Sequence, residues 1–197
     1  ELPPGTFVLV DQFIDRTFAR EKSFFGTGCV GHVPFSHPVS PVLQDCVERA
    51  LREKGIAHRR GGTYVVMEGP QFSTLAESQL YRSWGASVIG MTNMPEAKLA
   101  REAEICYCTV AMVTDYDSWH EEHGTVDVAK VIAVLKANSG NARRLVTRIA
   151  RDFPRQHPPC PVGSDRALDF AIMTAPEKRD PKLLAKLDAV AGRVLKG

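Results

Sequence analysis

Residues 63–91, TYVVMEGPQFSTLAESQLYRSWGASVIGM, contain in succession the three elements that decide the fold class. The first, residues 63–67, is a short apolar and β-branched run that predicts a strand, which Glu-Gly-Pro at residues 68–70 breaks. A capping-box pattern, Thr-x-x-Glu, then opens residues 74–84, which predict a helix that stops at the following glycine. Residues 87–91 predict a second strand. A strand, a helix and another strand in succession are typical of α/β folds.

The rest of the chain continues this alternation of strands and helices. Residues 7–10 predict a strand, whereas residues 11–37 predict a long loop, rich in Phe, Gly, His and Pro, of the kind that serves functional sites or interfaces. The apolar run of residues 105–114 predicts a buried strand. Further helices are predicted over residues 41–54, 95–103, 125–135, 139–152, 165–174 and 181–195. We therefore predict an α/β fold with a mixed central sheet flanked by helices.

The composition narrows the classes of protein to which the chain can belong. A net charge of +2 gives no electrostatic signature for nucleic acid or for an anionic membrane, and no apolar run reaches the roughly 20 residues of a membrane span. The five cysteines contain no CxxC pair, which indicates buried cytosolic thiols rather than metal binding or redox chemistry. His120-Glu121-Glu122-His123 lacks the HExxH spacing and is interpreted as a charged turn. We expect a cytoplasmic protein without a metal or cofactor.

Polar segments follow three of the predicted strands, where an open α/β sheet binds its ligands. These segments are residues 68–73, 91–96 and 114–119. Each alone could be a turn or a helix cap, because Asp and Ser are common in both. Together they suit a nucleoside: Phe72 offers a stacking face, Met91 an apolar floor and Asp115 a carboxylate. The sequence therefore predicts a nucleoside site at this edge of the sheet.

Four strings in this chain, in their order and spacing, resemble the methylthioadenosine phosphorylase family of the purine nucleoside phosphorylase superfamily. They are PGTFVLVDQFIDRT (4–17), EGPQFSTLAES (68–78), IGMTNMPEAKLAREAEICY (89–107) and TDYDSW (114–119). The resemblance is clearest over residues 2–145 and fades beyond about residue 153. It implies a purine nucleoside phosphorylase-like fold, with residues 1–197 forming the C-terminal part of a single domain.

The resemblance implies phosphorolysis of 5'-methylthioadenosine to adenine and 5-methylthioribose 1-phosphate, with phosphate as co-substrate and no cofactor. Bond cleavage puts negative charge on the departing purine, and Asp115 matches the family residue that relieves it by donating a proton at N7. A carboxyl group in a partly dry cleft can hold a proton near neutral pH, as a general acid requires. Relatives that act on 6-oxopurines carry Asn at position 115 and Glu at position 74, so Asp115 and Thr74 favour a 6-aminopurine.

The same resemblance assigns the remaining site residues. The residues that it places around the base and sugar are Phe72, Ser73, Met91, Thr92, Thr114 and Asp117. Part of the stripe Val128, Val131 and Ile132 would line the methylthio pocket, although its spacing alone indicates a core-facing helix surface. His32 matches a histidine that the family donates across a subunit interface. We therefore expect a homotrimer in which His32 completes the neighbouring subunit's sugar pocket.

The phosphate-binding segments of the family have no counterpart in this sequence. Gly61-Gly62-Thr63 resembles a phosphate loop in composition but matches a different strand of the family. We therefore expect that the chain begins inside the domain, that an N-terminal segment is absent from it, and that residues 1–197 alone are insoluble or inactive.

Three alternatives remain open from the sequence. The first is a nucleosidase of the same superfamily, with water in place of phosphate. The second is a phosphorylase for 6-oxopurine nucleosides, including methylthioinosine. The third belongs to another class: a non-catalytic fragment or subunit that only completes an oligomer.

Overall fold

A computed structural model describes residues 1–120 and 128–196, except for the side chains of Val128 and Lys130. Its strands are β1 (Phe7–Leu9), β2 (Gln12–Arg16), β3 (His58–Arg60), β4 (Thr63–Met67), β5 (Ala86–Gly90) and β6 (Ala111–Met112). Its helices are α1 (Pro41–Glu53), α2 (Leu75–Ser83), α3 (Glu96–Glu102), α4 (Val128–Asp152) and α5 (Pro181–Leu195). The predicted α/β class is confirmed. In the described part of the chain, the strands are divided between two three-stranded sheets.

The first sheet has the order β3-β1-β6, with β1 parallel to β3 and antiparallel to β6. Its central strand is the most buried part of the molecule, because Phe7, Val8, Leu9 and Val10 are all 0% exposed. Phe7 and Leu9 pack against α1 and α4, and Val8 and Val10 pack on the opposite side toward the second sheet. This alternation is the ordinary consequence of the two-residue period of a strand.

The second sheet has the order β2-β4-β5 and is wholly parallel. Arg16 pairs with Met67, and Val66 pairs with Gly90, so the three strands end at one edge. Val65 and Val66 of the central strand are fully buried. The carboxyl edge of this sheet is where the polar segments after β4 and β5 begin.

The helices start where the sequence places good caps. Ser40 accepts a hydrogen bond from the backbone N–H of Leu43 at the start of α1, and a proline occupies the first turn. At α2 the capping box is complete, because Thr74 and Glu77 each accept from the other's backbone N–H. No helix in the described ranges is both long and apolar enough to cross a membrane.

Several of the predicted elements are confirmed. The strands over residues 7–10, 63–67 and 87–91 correspond to β1, β4 and β5, the last shifted by one residue. The helices over residues 41–54, 74–84, 95–103 and 181–195 correspond to α1, α2, α3 and α5. Gly61-Gly62-Thr63 leads into β4, as expected. Thr125, the predicted cap of α4, lies outside the described residues.

Two strand predictions were wrong. The predicted loop of residues 11–37 contains β2, since residues 12–16 pair in register with all five residues of β4. The two apolar residues of β2 have charged and polar neighbours, so the local sequence pattern does not indicate a strand. Pairing with β4 determines it instead. Of residues 105–114, only Ala111 and Met112 form a strand, because β1 is short and pairs with β6 at two positions. Cys106 and Cys108 therefore lie outside the strand. All five cysteines are free and at least partly buried.

Two helix predictions also need correction. The predicted break before residue 139 does not occur, because α4 is continuous: the buried Asn138 and Leu145 and the partly buried Ala142 keep helical spacing. The helix predicted over residues 165–174 reduces to a short 3-10 turn at Ser164–Arg166. The backbone N–H of Leu168 instead donates to the carboxylate of Glu104 at 3.0 Å. Because this N–H has a distant partner, it does not make the hydrogen bond that would extend a helix.

Candidate active site

The segments after β4 and β5 lie side by side at the carboxyl edge of the second sheet. Gly69 has a φ of 72°, and a Cβ atom there would lie 2.6 Å from the sulfur of Met91. Only glycine allows the backbone to come this close to Met91. The first two predicted polar segments therefore meet through Gly69 and Met91, and Met91 is itself half-buried.

Thr92 is held by a hydrogen bond to the neighbouring strand. Its hydroxyl lies 3.1 Å from the hydroxyl of Tyr64, which is 6% exposed and belongs to β4. The phenol oxygen fits between the strands because residue 90 is glycine: a Cβ there would lie 1.9 Å from it. The remainder of Thr92 faces solvent.

Phe72 and Ser73 belong to the segment between β4 and α2. Phe72 is 87% exposed, so its ring is outside the core and available to stack on a planar ligand. The Ser73 hydroxyl lies 3.5 Å from the sulfur of Met67, which places it beside the end of β4. Both residues therefore lie at the predicted edge.

The third polar segment carries the candidate acid and follows β6, which belongs to the first sheet, so the predicted single sheet edge for all three segments is corrected. Asp115 is exposed, so the described residues do not form the partly dry cleft that was expected around it. Its carboxylate accepts a hydrogen bond of 2.7 Å from the hydroxyl of Thr114. Asp117 accepts from the backbone N–H of Ser118 at 2.8 Å and from the hydroxyl of Ser78 in α2. Ser78 is only 1% exposed. The contact ties the third segment to the helix that follows the first one.

Helix α4 covers the same segment from the other side. The buried amide of Asn138 donates a hydrogen bond of 3.0 Å to the carbonyl of Val113, just before Thr114. Val131 is two helical turns from Asn138 on the same face, and it is half-buried. Ile132 is 46% exposed, so it is not part of the core in this chain. The side chain of Val128 lies outside the described residues.

His32 lies in a different part of the chain. Its side chain is exposed, and its backbone N–H donates to the carbonyl of Ala171 at 2.8 Å. Within the described part of the chain, this bond connects His32 to Ala171 and not to the strand-end segments. The structure therefore joins the β4 and β5 ends through Gly69 and Met91 and ties the third segment to α2 through Asp117, but it leaves His32 apart from them.

Sequence reasoning missed Arg20, which lies in the loop between β2 and α1. Its guanidinium contacts the carbonyls of Met67, Glu68, Met91 and Met94 and the carboxylate of Glu68. Hydrogen bonds from Phe18 and Ala19 N–H, and then from Arg20, hold the pKa of Glu68 below its ordinary value although desolvation acts in the opposite direction. An arginine in an irregular loop gives no pattern signal, so only the structure identifies it.

Asp15, on β2, is a second missed residue near this edge. It accepts hydrogen bonds from the backbone N–H and the hydroxyl of Thr17, and it forms ion pairs with Lys22 and Lys98. Burial acts to raise the pKa of Asp15, but the hydrogen bonds from Lys98, Thr17 and Lys22 outweigh it and hold that pKa far below its ordinary value. Asp15 is therefore a fixed anion of the scaffold.

Within residues 1–120 and 128–196, no group of three or more His, Cys, Asp or Glu side chains could hold a metal ion. What the strand ends offer is a stacking ring, an apolar floor, hydroxyl groups and the two carboxylates Asp115 and Asp117.

Comparison with known proteins identifies the family. The model of a family described as the phosphorylase superfamily matches residues 1–151. The chain belongs to the phosphorylase superfamily.

Individual relatives extend the match beyond the family model. The S-methyl-5'-thioadenosine phosphorylase of Bradyrhizobium diazoefficiens is 68% identical over 197 residues, which are 100% of this chain and 68% of that protein. The enzyme of the same name from Geobacter sulfurreducens is 49% identical over 193 residues, covering 98% of this chain and 66% of that protein. Residues 152–197, where the resemblance was expected to fade, are thus included in the first match.

Solved structures give the same relationship. A methylthioadenosine phosphorylase from an antarctic soil metagenomic library superposes with a TM-score of 0.83 at 41% identity, covering 96% of this chain and 66% of that one. A methylthioadenosine phosphorylase of Schistosoma mansoni in complex with adenine gives a TM-score of 0.77 at 27% identity, covering 91% of this chain and 68% of that one. This chain thus spans about two thirds of the length of its relatives.

Proposed function

We propose that the complete protein catalyses phosphorolysis of 5'-methylthioadenosine to adenine and 5-methylthioribose 1-phosphate. The observation that carries the proposal is the contact between the segments after β4 and β5, to which Ser78 of α2 ties the segment after β6, in a chain 68% identical to a protein named S-methyl-5'-thioadenosine phosphorylase. The reaction makes the protein a pentosyltransferase. Phosphate is a substrate in this scheme, and no cofactor is required.

Asp115 is the proposed catalytic acid. Cleavage of the glycosidic bond leaves negative charge on the purine, and a carboxylic acid at N7 relieves it by donating a proton. The exposed carboxyl group of Asp115 at the strand end can meet a ligand, and the Thr114 hydroxyl orients it from 2.7 Å. A base at this position would also present its 6-amino group to the same side chain, which favours a 6-aminopurine.

The other predicted residues take binding roles in this proposal. Phe72 stacks on the base, Ser73 and Thr92 line it, and Met91 lies under the ribose. Thr114 lies beside the base and the sugar, and Asp117 lies near the base. Part of the stripe Val128, Val131 and Ile132 lines the pocket of the methylthio group. The described contacts that support these roles are the Gly69–Met91 approach and the hydrogen bond between Ser78 and Asp117.

A homotrimer is the proposed assembly, with His32 reaching the neighbouring subunit's sugar pocket. The support is an exposed apolar surface around His32, with Val30 39% exposed, Phe170 94% and Met173 56%. Val30 and Met173 are adjacent, because the N–H of Met173 donates to the carbonyl of Val30 at 2.8 Å. Light scattering of the complete protein measures the assembly. A fully active monomer would contradict it.

The phosphate site is proposed to lie in sequence that this chain does not include. A phosphorolytic enzyme must place its nucleophile under the anomeric carbon, and positioning of this kind can supply roughly 7–11 kcal/mol of the barrier. Residues 1–197 expressed alone are therefore expected to be insoluble or inactive. A soluble product that turns over methylthioadenosine in a phosphate-dependent way would contradict this expectation. The location of the complete protein is proposed to be cytoplasmic, without a nucleic-acid or membrane partner.

The test of the function is adenine release from methylthioadenosine by the complete protein, with and without phosphate. We expect release that requires phosphate and a sugar product that carries it at C1. Release in phosphate-free buffer would indicate a nucleosidase, and preference for methylthioinosine would indicate a 6-oxopurine enzyme. No release under either condition would favour a non-catalytic role.

A further inference from the structure

Arg20 connects the ends of two neighbouring parallel strands. On the β4 side, Nη2 donates to the carbonyls of Glu68 at 2.9 Å and Met67 at 3.4 Å. On the β5 side, Nη1 donates to the carbonyls of Met91 at 2.9 Å and Met94 at 2.5 Å. One side chain thus bridges the two backbones at the point where each leaves the sheet.

The contacts of Arg20 with both strand ends require the planar shape of a guanidinium group. Carbonyl groups beyond the last pair of a ladder have lost their strand partners, and leaving such a group buried without a hydrogen bond costs about 1–3 kcal/mol. Arg20 presents its donors in a planar fork that reaches both strands at once, which the single ammonium of a lysine cannot do. Its side chain is only 21% exposed, so these bonds are largely shielded from water.

Glu68 holds the guanidinium in place from the other direction. One carboxylate oxygen of Glu68 accepts from Nε of Arg20 at 3.1 Å. The other oxygen accepts from the backbone N–H groups of Phe18 at 2.6 Å and Ala19 at 3.1 Å. The loop that carries Arg20 is therefore fixed to the same strand end that its guanidinium bridges.

The residues next to the bridge are those that the proposed function uses. Phe72 and Ser73 follow the β4 end, and Met91 and Thr92 follow the β5 end. The separation of the two strand ends thus sets the separation between the stacking ring and the apolar floor. Arg20 points into the backbone and not into the open edge, so it acts on a ligand only through these groups.

We propose that Arg20 is a positioning residue for the nucleoside, fixing the spacing between the β4 and β5 ends. This inference rests on the proposed function, because it assumes that Phe72 and Met91 bind the base and the ribose. Misplacement of binding groups by about 1 Å can cost roughly a hundredfold in rate or affinity. Loss of Arg20 should therefore weaken nucleoside binding and leave phosphate binding nearly unchanged.

The test uses the complete protein and the variants Arg20→Gln and Arg20→Lys. The matched control is Arg148→Lys, because Arg148 also bridges two elements, donating from α4 to Glu53 of α1 at 2.7 Å, away from the strand ends. KM for methylthioadenosine and KM for phosphate are measured separately, together with Tm. We expect KM for the nucleoside to rise at least about tenfold in Arg20→Gln and less in Arg20→Lys, with KM for phosphate within about twofold.

The possible results separate the inference from the function on which it rests. A parent enzyme without phosphate-dependent turnover would contradict the proposed function. An active parent with an unchanged nucleoside KM in Arg20→Gln, or an equal rise in both KM values, would overturn the positioning role. If Arg20→Gln does not fold, the result for Arg20→Lys tests the proposal. A KM for the nucleoside equal to that of Arg148→Lys would overturn it. A rise in KM for the nucleoside without a rise in KM for phosphate would support it.

Discussion

The edge formed by β2, β4 and β5 and the segment after β6 both carry an aspartate, but in opposite settings. Asp15 is 12% exposed at its side chain and is bonded to Thr17, Lys22 and Lys98. Asp115 is exposed, and its carboxylate accepts a hydrogen bond from the adjacent Thr114. A carboxylate fixed by two cations holds a scaffold together, whereas an open carboxylate can meet a ligand.

The same contrast extends to the backbone around each aspartate. The β4 and β5 ends are bridged by Arg20 and locked by Glu68. The segment after β6 is attached at two points, through Asn138 to Val113 and through Ser78 to Asp117. We infer that one side of the site supplies fixed binding surfaces and the other supplies the chemistry. Substitutions on the two sides should then affect different measurable quantities.

The largest expected effect is that of Asp115→Ala on turnover. A hydrogen bond to a charged partner contributes about 1.5–3 kcal/mol, so kcat/KM of the complete enzyme should fall at least roughly tenfold. Tm should stay close to that of the parent, because Asp115 is exposed. Steady-state kinetics and thermal unfolding measure the two quantities. Near-parental turnover in this folded variant would remove Asp115 from the mechanism.

A smaller effect is expected from Ser78→Ala, which removes the buried donor to Asp117. Losing one hydrogen bond of about 1 kcal/mol should raise KM for methylthioadenosine roughly fivefold. Ser83→Ala is the matched control, because that hydroxyl donates within its own helix, to the carbonyl of Leu80 at 2.7 Å. Equal KM values in the two variants would mean that Asp117 does not depend on Ser78.

The smallest effect on activity is expected from Asp15→Asn, which should act on stability instead. The pKa of folded Asp15 lies well below its ordinary value, so its ionised form stabilises the fold above about pH 4 and that contribution is lost as the pH falls. The Tm difference between parent and variant should therefore be largest near pH 7 and shrink below about pH 4. Asp188→Asn, which breaks an exposed ion pair with Lys196, is the control. A pH-independent difference would show that Asp15 ionisation does not stabilise the fold.

Much of the fold followed from local patterns, but its exceptions have tertiary causes. Capping and periodicity located α1, α2 and α5, because their signals lie within a few adjacent residues. β2 was missed because its pairing partners, the five residues of β4, lie about fifty positions further along the sequence. The helix predicted near residue 168 failed because a distant carboxylate, Glu104, takes a backbone N–H group that a helix would use.

For the site, sequence reasoning found groups at strand ends and missed the groups that hold them. Phe72, Met91 and Asp115 were predicted because a polar segment that follows an apolar run can be recognised from the sequence alone. Arg20 contacts residues 47 to 74 positions away, and Ser78 contacts Asp117 39 positions away, so no local pattern indicates either contact. The roles of the predicted residues toward a nucleoside remain predictions.

The central claim, that Asp115 faces N7 and the 6-amino group of the purine, is tested most directly by Asp115→Asn in the complete enzyme. The measured quantity is kcat/KM for methylthioadenosine divided by kcat/KM for methylthioinosine, compared with the same ratio for the parent. An amide can donate to a 6-oxo group as well as accept, so the ratio should fall by at least about tenfold. A ratio that equals the parent's would show that another group selects the base and would contradict the placement of Asp115.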